Sequence, residues 1–441
     1  MRIRSFKIQG YKNLAAPVEL DGLDVRDVVV IHGSNNVGKS NLLEAMQLPF
    51  LLLGLGEERR EELPFQVEQP LAARDALGKN HLDPSDWFTL GAPTPIDIQL
   101  ALTFTPEELR RQNITPVHDC SRVELGLRID GYPGEVTWRI TRYRFADGAD
   151  AALSPSLGAP QHFDPVAQQR LHKFSLYFAR NVIWRRFVLL NLNRQDLDGA
   201  RARGRGILTD KLVLDLYDAR ESADVREYHR WDAFVRVCKD FGDVLTGAEP
   251  VVTYDRTQQR ATLYMQSPAG RLPVHLLGTG VQQLLAIIAR MLVSKADVVA
   301  VEEPEASVSV GLHARVRDAM QRMTEKGPAQ VFLTSHSPWF DGAEDFIAVT
   351  TTPIGPKVQW RAVRDAGLFT QQDLPSAPVS PAPLSYVTPE GYVALPPFVR
   401  QHLSVEHGGG VVFKTEGVGH VTMLSNDAAI AELGEGDDDE G

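Results

Sequence analysis

The chain has 441 residues, 43% hydrophobic and 23% charged, a composition that excludes wholesale disorder and a fibrous fold and leaves room for a large core plus a small extra domain. Its formal charge of −11 argues against a general electrostatic attraction to nucleic acid, although net charge does not say where the charges lie. Cys120 and Cys238, with no ligand-like spacing, exclude a disulfide framework and a structural zinc; they read as core residues in a reducing compartment.

The opening MRIRSFKIQG alternates as an edge strand does and lacks the apolar stretch of a secretory leader. No run approaches the roughly 18 apolar residues of a membrane span, so a soluble cytoplasmic protein without membrane contact is expected. The apolar run DVVV at 27–30 predicts a buried strand, and IHGSNNVGKSNLLEAM follows it. Gly33, Ser34, Asn35, Asn36, Val37, Gly38, Lys39 and Ser40 fit G-x-x-x-x-G-K-[ST] between that strand and an amphipathic helix opening at Asn41, which joins the same binding set. The glycines let successive N–H groups turn inward around phosphate oxygens, and the helix N-terminus adds partial positive charge. Lys39 then reaches the β- and γ-phosphates and the Ser40 hydroxyl ligates Mg²⁺, so ATP and Mg²⁺ are the expected ligands.

IDIQLALTF at 96–104 and VELGLRI at 123–129 alternate as strands of a β lobe beside this loop. Between Thr137 and Lys211 the balance turns basic, with thirteen Lys or Arg against six Asp and with aromatics interleaved, as in TWRITRYRF. Such a stretch suits a phosphate backbone, and equally a solvated face paired with acidic neighbours. Arg201, Arg203 and Arg205, in GARARGRG, read as a mobile loop and are the first candidates for a DNA contact.

In LLGTGVQQLLAIIARML at 276–292, Gly278, Thr279 and Gly280 precede a helix apolar on nearly every face, hence buried, with its N-terminus open to an anion. Thr279 also suits a helix N-cap, and the two roles are compatible. DVVAVEEPE at 297–305 is an apolar strand ending in paired carboxylates: Glu302 for the metal shell, and Glu303 to polarise a water aligned with the γ-phosphate. A third strand, VFLTSHSPWF at 331–340, brings His336 to the polar end of a parallel sheet, within hydrogen-bonding reach of that phosphate.

With these motifs in order, residues 1–365 resemble the ABC-type ATPase class that includes RecF, the SMC heads and the overcoming-lysogenization-defect (OLD) ATPases, the OLD-like branch best. The shared features are the opening IRSFKIQGYKNL, the GxGxQQ-like signature, the EEPE Walker B and the TSHSP switch. The resemblance implies an α/β head with a mixed sheet and an antiparallel β lobe. It also implies a homodimer or higher homo-oligomer sandwiching ATP, in which Gly278, Thr279, Gly280 and Gln282 act on the partner's nucleotide, while Lys39, Glu303 and His336 are catalytic. The chain departs from the family in two places. Ala306-Ser307-Val308-Ser309-Val310 stands where the family often has a pattern like HLHP, and the Q-loop falls to either Gln66 or Asp86. The spacing carries no sustained heptads, so long SMC-type arms are absent, and too little chain follows His336 for a Toprim nuclease.

The ATPase domain is assigned to residues 1–370, a proline-rich linker to 371–384, a small β-rich module to 385–428 and an acidic tail to 429–441. SYVTPEGYVALPPFVRQHLSVEHGGGVVFKTEGVGHVTMLS is similar to the AbrB/SpoVT swapped-hairpin module, a family that usually binds DNA. Residues 384–431 hold only Arg400 and Lys414 against four acids, which favours dimerisation or partner docking over DNA reading. The expected function is an ATPase coupled to DNA surveillance, repair or anti-phage defence. The alternatives are a nucleotide-gated scaffold that holds a separately encoded effector, and a DNA-binding regulator with an appended switch.

Overall fold

The computed structural model describes residues 1–55, 69–70, 87–88, 95–111, 117–130, 136–151, 165–184, 186–191, 208, 210–242, 245, 247–293, 296–306, 308, 312–324, 328–336, 346–352, 355–361, 386–387, 393–394, 411–415 and 421–425. The first half holds β1 (Arg2–Gln9), β2 (Val18–Leu20), β3 (Val28–His32), α1 (Lys39–Leu55), β4 (Gln69–Pro70), β5 (Ile96–Thr103), α2 (Pro106–Arg111), β6 (Arg122–Asp130), β7 (Thr137–Phe145), α3 (Pro165–Phe178) and β8 (Phe187–Asn191). The second holds α4 (Asp210–Glu221), α5 (Val225–Asp240), β9 (Glu249–Asp255), β10 (Arg260–Ser267), β11 (Gly270–Pro273), α6 (Thr279–Val293), β12 (Val298–Glu302), α7 (His313–Thr324), β13 (Gln330–Ser335), β14 (Phe346–Thr352) and β15 (Gly355–Arg361).

The central sheet has the order β15-β14-β3-β13-β12-β8, parallel except for β15. Side chains alternate along a strand, so each apolar run feeds two cores. Val29, Ile31, Val298, Ala300, Phe332, Ile347 and Val349 join the core that holds α1 and the antiparallel lobe. Val28, Val30, Val299, Val301, Val331, Leu333, Phe346 and Ala348 join the core that holds α4 to α7. This double burial explains why VVVI, VVAV and VFL read as unbroken apolar runs. Helix α6 is buried from Gln282 onward on nearly every face, as its sequence predicts.

The lobe is the antiparallel sheet β2-β1-β5-β6-β7-β4, and β9 to β11 form a separate three-stranded sheet. Here one expectation is corrected: β1 is flanked by β2 and β5 and is not an edge strand. Alternation along β1 reports which face is buried, not how many neighbours its backbone has. Gln330 stitches the lobe to the central sheet. Its amide, 0% exposed, accepts from the N–H of Ile3 and donates to the carbonyls of Ile3 and Leu23 at 2.8, 3.3 and 2.7 Å. Removing one partner of such a buried set costs about 1–3 kcal/mol, because the other groups are left desolvated and unpaired.

Both cysteines are free and buried, and burial pushes the thiol of Cys120 up to about 12 and that of Cys238 further, in keeping with core roles. No helix among the described residues is long and apolar enough to cross a membrane. In the C-terminal region Tyr386–Val387 pairs antiparallel with Val393–Ala394, and Val411–Thr415 with Val421–Ser425. The proline-rich linker and the acidic tail lie outside the described residues.

Candidate active site

Strands β3, β13 and β12 are adjacent and parallel, so the segments that follow them emerge at one end of the sheet. Register sets their heights: Glu302 pairs with Thr334, and Ser335 with His32. The carboxyl ends of such strands are where open parallel sheets gather ligand groups. The loop after β3 is bent by left-handed backbone at Asn36 (φ 64°) and Gly38 (φ 108°), the latter a conformation suited to glycine. Gly33 has no room for a side chain, since a Cβ there would lie 2.5 Å from the carbonyl oxygen of Val349. Ser34, Asn35 and Asn36 are exposed, while Val37 and Gly38 are buried.

Lys39, the first residue of α1, is 4% exposed and donates to the carbonyls of Gly33 and Ser34 at 2.7 and 2.9 Å. Burial pulls its pKa below the ordinary lysine value, opposed by the charges of Glu303, Glu305 and Glu302 in that order. The ammonium and three carboxylates therefore share one neighbourhood. Ser40 follows in the first turn of α1, and Asn41 donates to Asn13 Oδ1 at 2.8 Å. The Asn13 amide also lies against Gly38, 2.7 Å from where a Cβ would be. Asn13 supports the loop from outside its motif. The only hint in the sequence is its place in the YKNL that opens the family resemblance.

At the end of β12, Glu302 is 6% exposed. Glu303 holds a left-handed φ of 42°, a strain of about 1–3 kcal/mol in a non-glycine residue. Its N–H is shared between the carbonyl oxygen and Oγ1 of Thr334, at 3.1 and 3.2 Å. The half-exposed His336 ring turns Nδ1 toward Glu305 and Glu303, at 3.6 and 3.8 Å. Glu305, which sequence reasoning passed over, is 3% exposed and accepts from the Ser335 hydroxyl at 2.6 Å and the His336 N–H at 3.1 Å. After it, Val308 N–H donates to the Glu305 carbonyl, and Val308 in turn meets His313 Nε2 at 3.0 Å. Ser307, Ser309 and Val310 lie outside the described residues.

His32 ends β3 just before the loop, with both ring nitrogens shielded from solvent. Burial first, then the neighbouring Lys39 and His336, lowers its pKa from 6.5 to about 4. The unfolded chain takes up a proton below pH 6.5 that the folded chain refuses until about pH 4. Stability is thus complete above pH 6.5 and falls as the pH drops toward 4. Chemical denaturation at pH 7.5 and 5 is expected to show about 2 kcal/mol of this loss in the wild type. His32→Gln should flatten that part of the slope, and equal slopes would remove His32 from the pH response.

The signature residues are not gathered with this group. Gly278 and Thr279 are exposed, and the Gln282 N–H bonds to the Gly278 carbonyl. Gly278 is thus the residue flanking α6, and Thr279 is its first helical residue rather than its N-cap. The Gln282 side chain donates to the carbonyls of His275 and Leu277 at 3.3 and 2.8 Å, holding the turn that presents Gly278. Gln66, Asp86, Arg201, Arg203 and Arg205 lie outside the described residues.

Along β7 the basic stretch is a paired face. Arg142 meets Glu124 at 2.7 Å, Arg144 meets Asp150 at 3.6 Å and Arg139 meets Asp130 at 3.9 Å. Two of these partners, Glu124 and Asp130, come from β6 and precede the basic window in sequence. For these arginines the solvated-face alternative is the one the structure contains.

Residues 141–340 match a family described as "AAA domain, putative AbiEii toxin, Type IV TA system". That range begins after the Gly33–Ser40 loop and takes in the signature, the β12 carboxylates and His336. None of the curated proteins searched matches the chain. Among solved structures, a SmcHead bound to the C-winged helix domain of ScpA is similar at a TM-score of 0.50 and 14% identity, over 83% of this chain and 99% of that one. An SMC head domain from Thermotoga maritima (0.43, 12%, 82% and 100%) and an Smc head domain with an extended coiled coil, bound to the C-terminal domain of ScpA, from Pyrococcus furiosus (0.47, 12%, 84% and 99%) are similar more loosely. Sheet order, the loop after β3 and the likeness to the SmcHead together give the described head the mixed α/β fold of SMC-type P-loop heads.

Proposed function

We propose that this protein binds and hydrolyses ATP and that two copies engage head to head around ATP and Mg²⁺. The observation that carries the reading is the convergence of Lys39, Glu302, Glu303 and His336 at one end of three parallel strands, with Lys39 inside the field of the carboxylates. The loop fits a polyphosphate: it is turned by left-handed residues, closed below by Gly33 against Val349, and followed by a helix N-terminus. Ser40 and Glu302 offer the hard oxygen donors that Mg²⁺ prefers, and the ion when bound would neutralise charge on the β- and γ-phosphates. Lys39 exchanges its loop carbonyls for phosphate oxygens. Glu303 takes a proton from a water whose oxygen bonds to the γ-phosphorus as the bridging bond to ADP breaks. His336 meets a γ-phosphate oxygen.

Gly278, Thr279, Gly280 and Gln282 then complete the partner's site. Support for this comes from the exposure of Gly278 and Thr279 at the start of a helix buried along most of its length, and from Leu272 and Leu276 just before them in sequence, 44% and 62% exposed. The resemblance supplies the setting of DNA surveillance, repair or anti-phage defence, with Arg201, Arg203 and Arg205 as the proposed DNA contacts. A second reading, a nucleotide-gated scaffold for a separately encoded effector, is favoured by the carboxylates that pair the β7 arginines and would repel a phosphate backbone. The C-terminal module then serves dimerisation or docking. The test is ATP turnover with and without duplex DNA, with particle mass read by light scattering. DNA-stimulated turnover with a larger ATP-bound particle supports the first reading. Slow turnover indifferent to DNA moves the assignment to the scaffold.

A further inference from the structure

Within the proposed ATPase, on which this inference rests, we infer that Glu305 is the positioning residue for His336, tying the turn after β12 to the end of β13. One oxygen, Oε1, gathers three groups of the β13 terminus: the Ser335 hydroxyl at 2.6 Å, the His336 N–H at 3.1 Å and, further off, His336 Nδ1 at 3.6 Å. The hydroxyl bond has the length of a charge-assisted one. Both ends are shut away from water, Ser335 being 0% and Glu305 3% exposed. A bond in such surroundings fixes direction better than one in solvent, because no water competes for either partner.

The arrangement sets where His336 can point. Two contacts to backbone and hydroxyl hold the segment, and the third turns Nδ1 inward, so the opposite ring nitrogen faces away from the carboxylates. Glu303 is two residues away on the same turn, held by Thr334, the residue just before Ser335. The water-activating carboxylate and the phosphate-facing imidazole are therefore referred to one frame, and Glu305 closes it. The other oxygen, Oε2, is buried with no hydrogen bond among the described residues. Desolvating a carboxylate this way costs free energy that an apolar side chain would not, so packing alone does not account for a glutamate here.

The test combines steady-state ATPase kinetics with a double-mutant cycle. Glu305→Ala is expected to lower kcat about ten- to a hundredfold, the effect of losing hydrogen bonds to a charged acceptor, while KM for ATP moves less than about threefold. Glu305→Gln keeps an acceptor oxygen and should recover most of that loss. In a His336→Ala background Glu305→Ala should add little, because its effect passes through the imidazole. Equal losses from Glu305→Ala in both backgrounds, or a rise in KM with kcat unchanged, overturn the inference. If Glu305→Ala does not fold, Ser335→Ala takes its place in the same cycle. A wild type that turns over no more ATP than Lys39→Ala overturns the ATPase reading and this inference with it. Turnover that depends on Lys39 together with additive Glu305 and His336 effects overturns this inference alone.

Discussion

Glu303→Gln is expected to leave ATP binding intact and to slow hydrolysis by about 10²–10⁴-fold, the usual contribution of a positioned general base. The amide is nearly isosteric with the carboxylate and cannot take a proton from water. The backbone at this position is set by the N–H bonds to Thr334, which the substitution does not touch, so the left-handed turn should survive. Lys39 keeps the charges of Glu305 and Glu302 even as it loses its largest electrostatic supporter. With closure permitted and hydrolysis blocked, the ATP-bound particle should accumulate, and light scattering should show a mass above that of the nucleotide-free protein. Wild-type turnover in this variant would sink the assignment of Glu303.

Lys39→Ala is expected to act one step earlier, weakening ATP affinity about ten- to a hundredfold, as loss of charge-assisted bonds to phosphate implies. Its ammonium is the buried cation at the end of the sheet, desolvated and ringed by Glu303, Glu305 and Glu302. Without it, an incoming triphosphate would meet three carboxylates unopposed. The carbonyls of Gly33 and Ser34 also lose their donor, so Lys39→Met, which keeps the apolar stem, separates loop collapse from loss of charge. Calorimetric or fluorescent-nucleotide titration reads the affinity. Equal ATPase activity in wild type, Lys39→Ala and Glu303→Gln would remove the site.

Much of this site is legible from the chain alone, because its chemistry is local. A phosphate cradle needs glycines, a lysine and a hydroxyl within eight consecutive residues, and Gly33–Ser40 supply them between a strand and a helix. Strands buried on both faces announce themselves as unbroken apolar runs, which is why β3, β12 and β13 are recognisable and the residues after them become candidates. The position of β1 is not legible in this way. Alternation gives its buried face, while its second neighbour, β5, arrives some ninety residues later in sequence. The pairing of the basic stretch is not legible for the same reason: a count along 137–211 cannot include Glu124 and Asp130, which meet β7 only once β6 has paired with it.

The sequence by itself determined which residues are candidates for the site, a glycine-rich loop with Lys39 and Ser40, then paired carboxylates and a histidine, because each set stands at short spacing after an apolar strand. Only the tertiary structure decided that Glu305 clasps Ser335 and His336, that Asn13 supports Gly38, that Gln330 joins the two sheets and that the β7 arginines are already paired. These contacts link residues from 6 to over 300 positions apart, and which partners meet is set by strand order and register, which no local periodicity encodes.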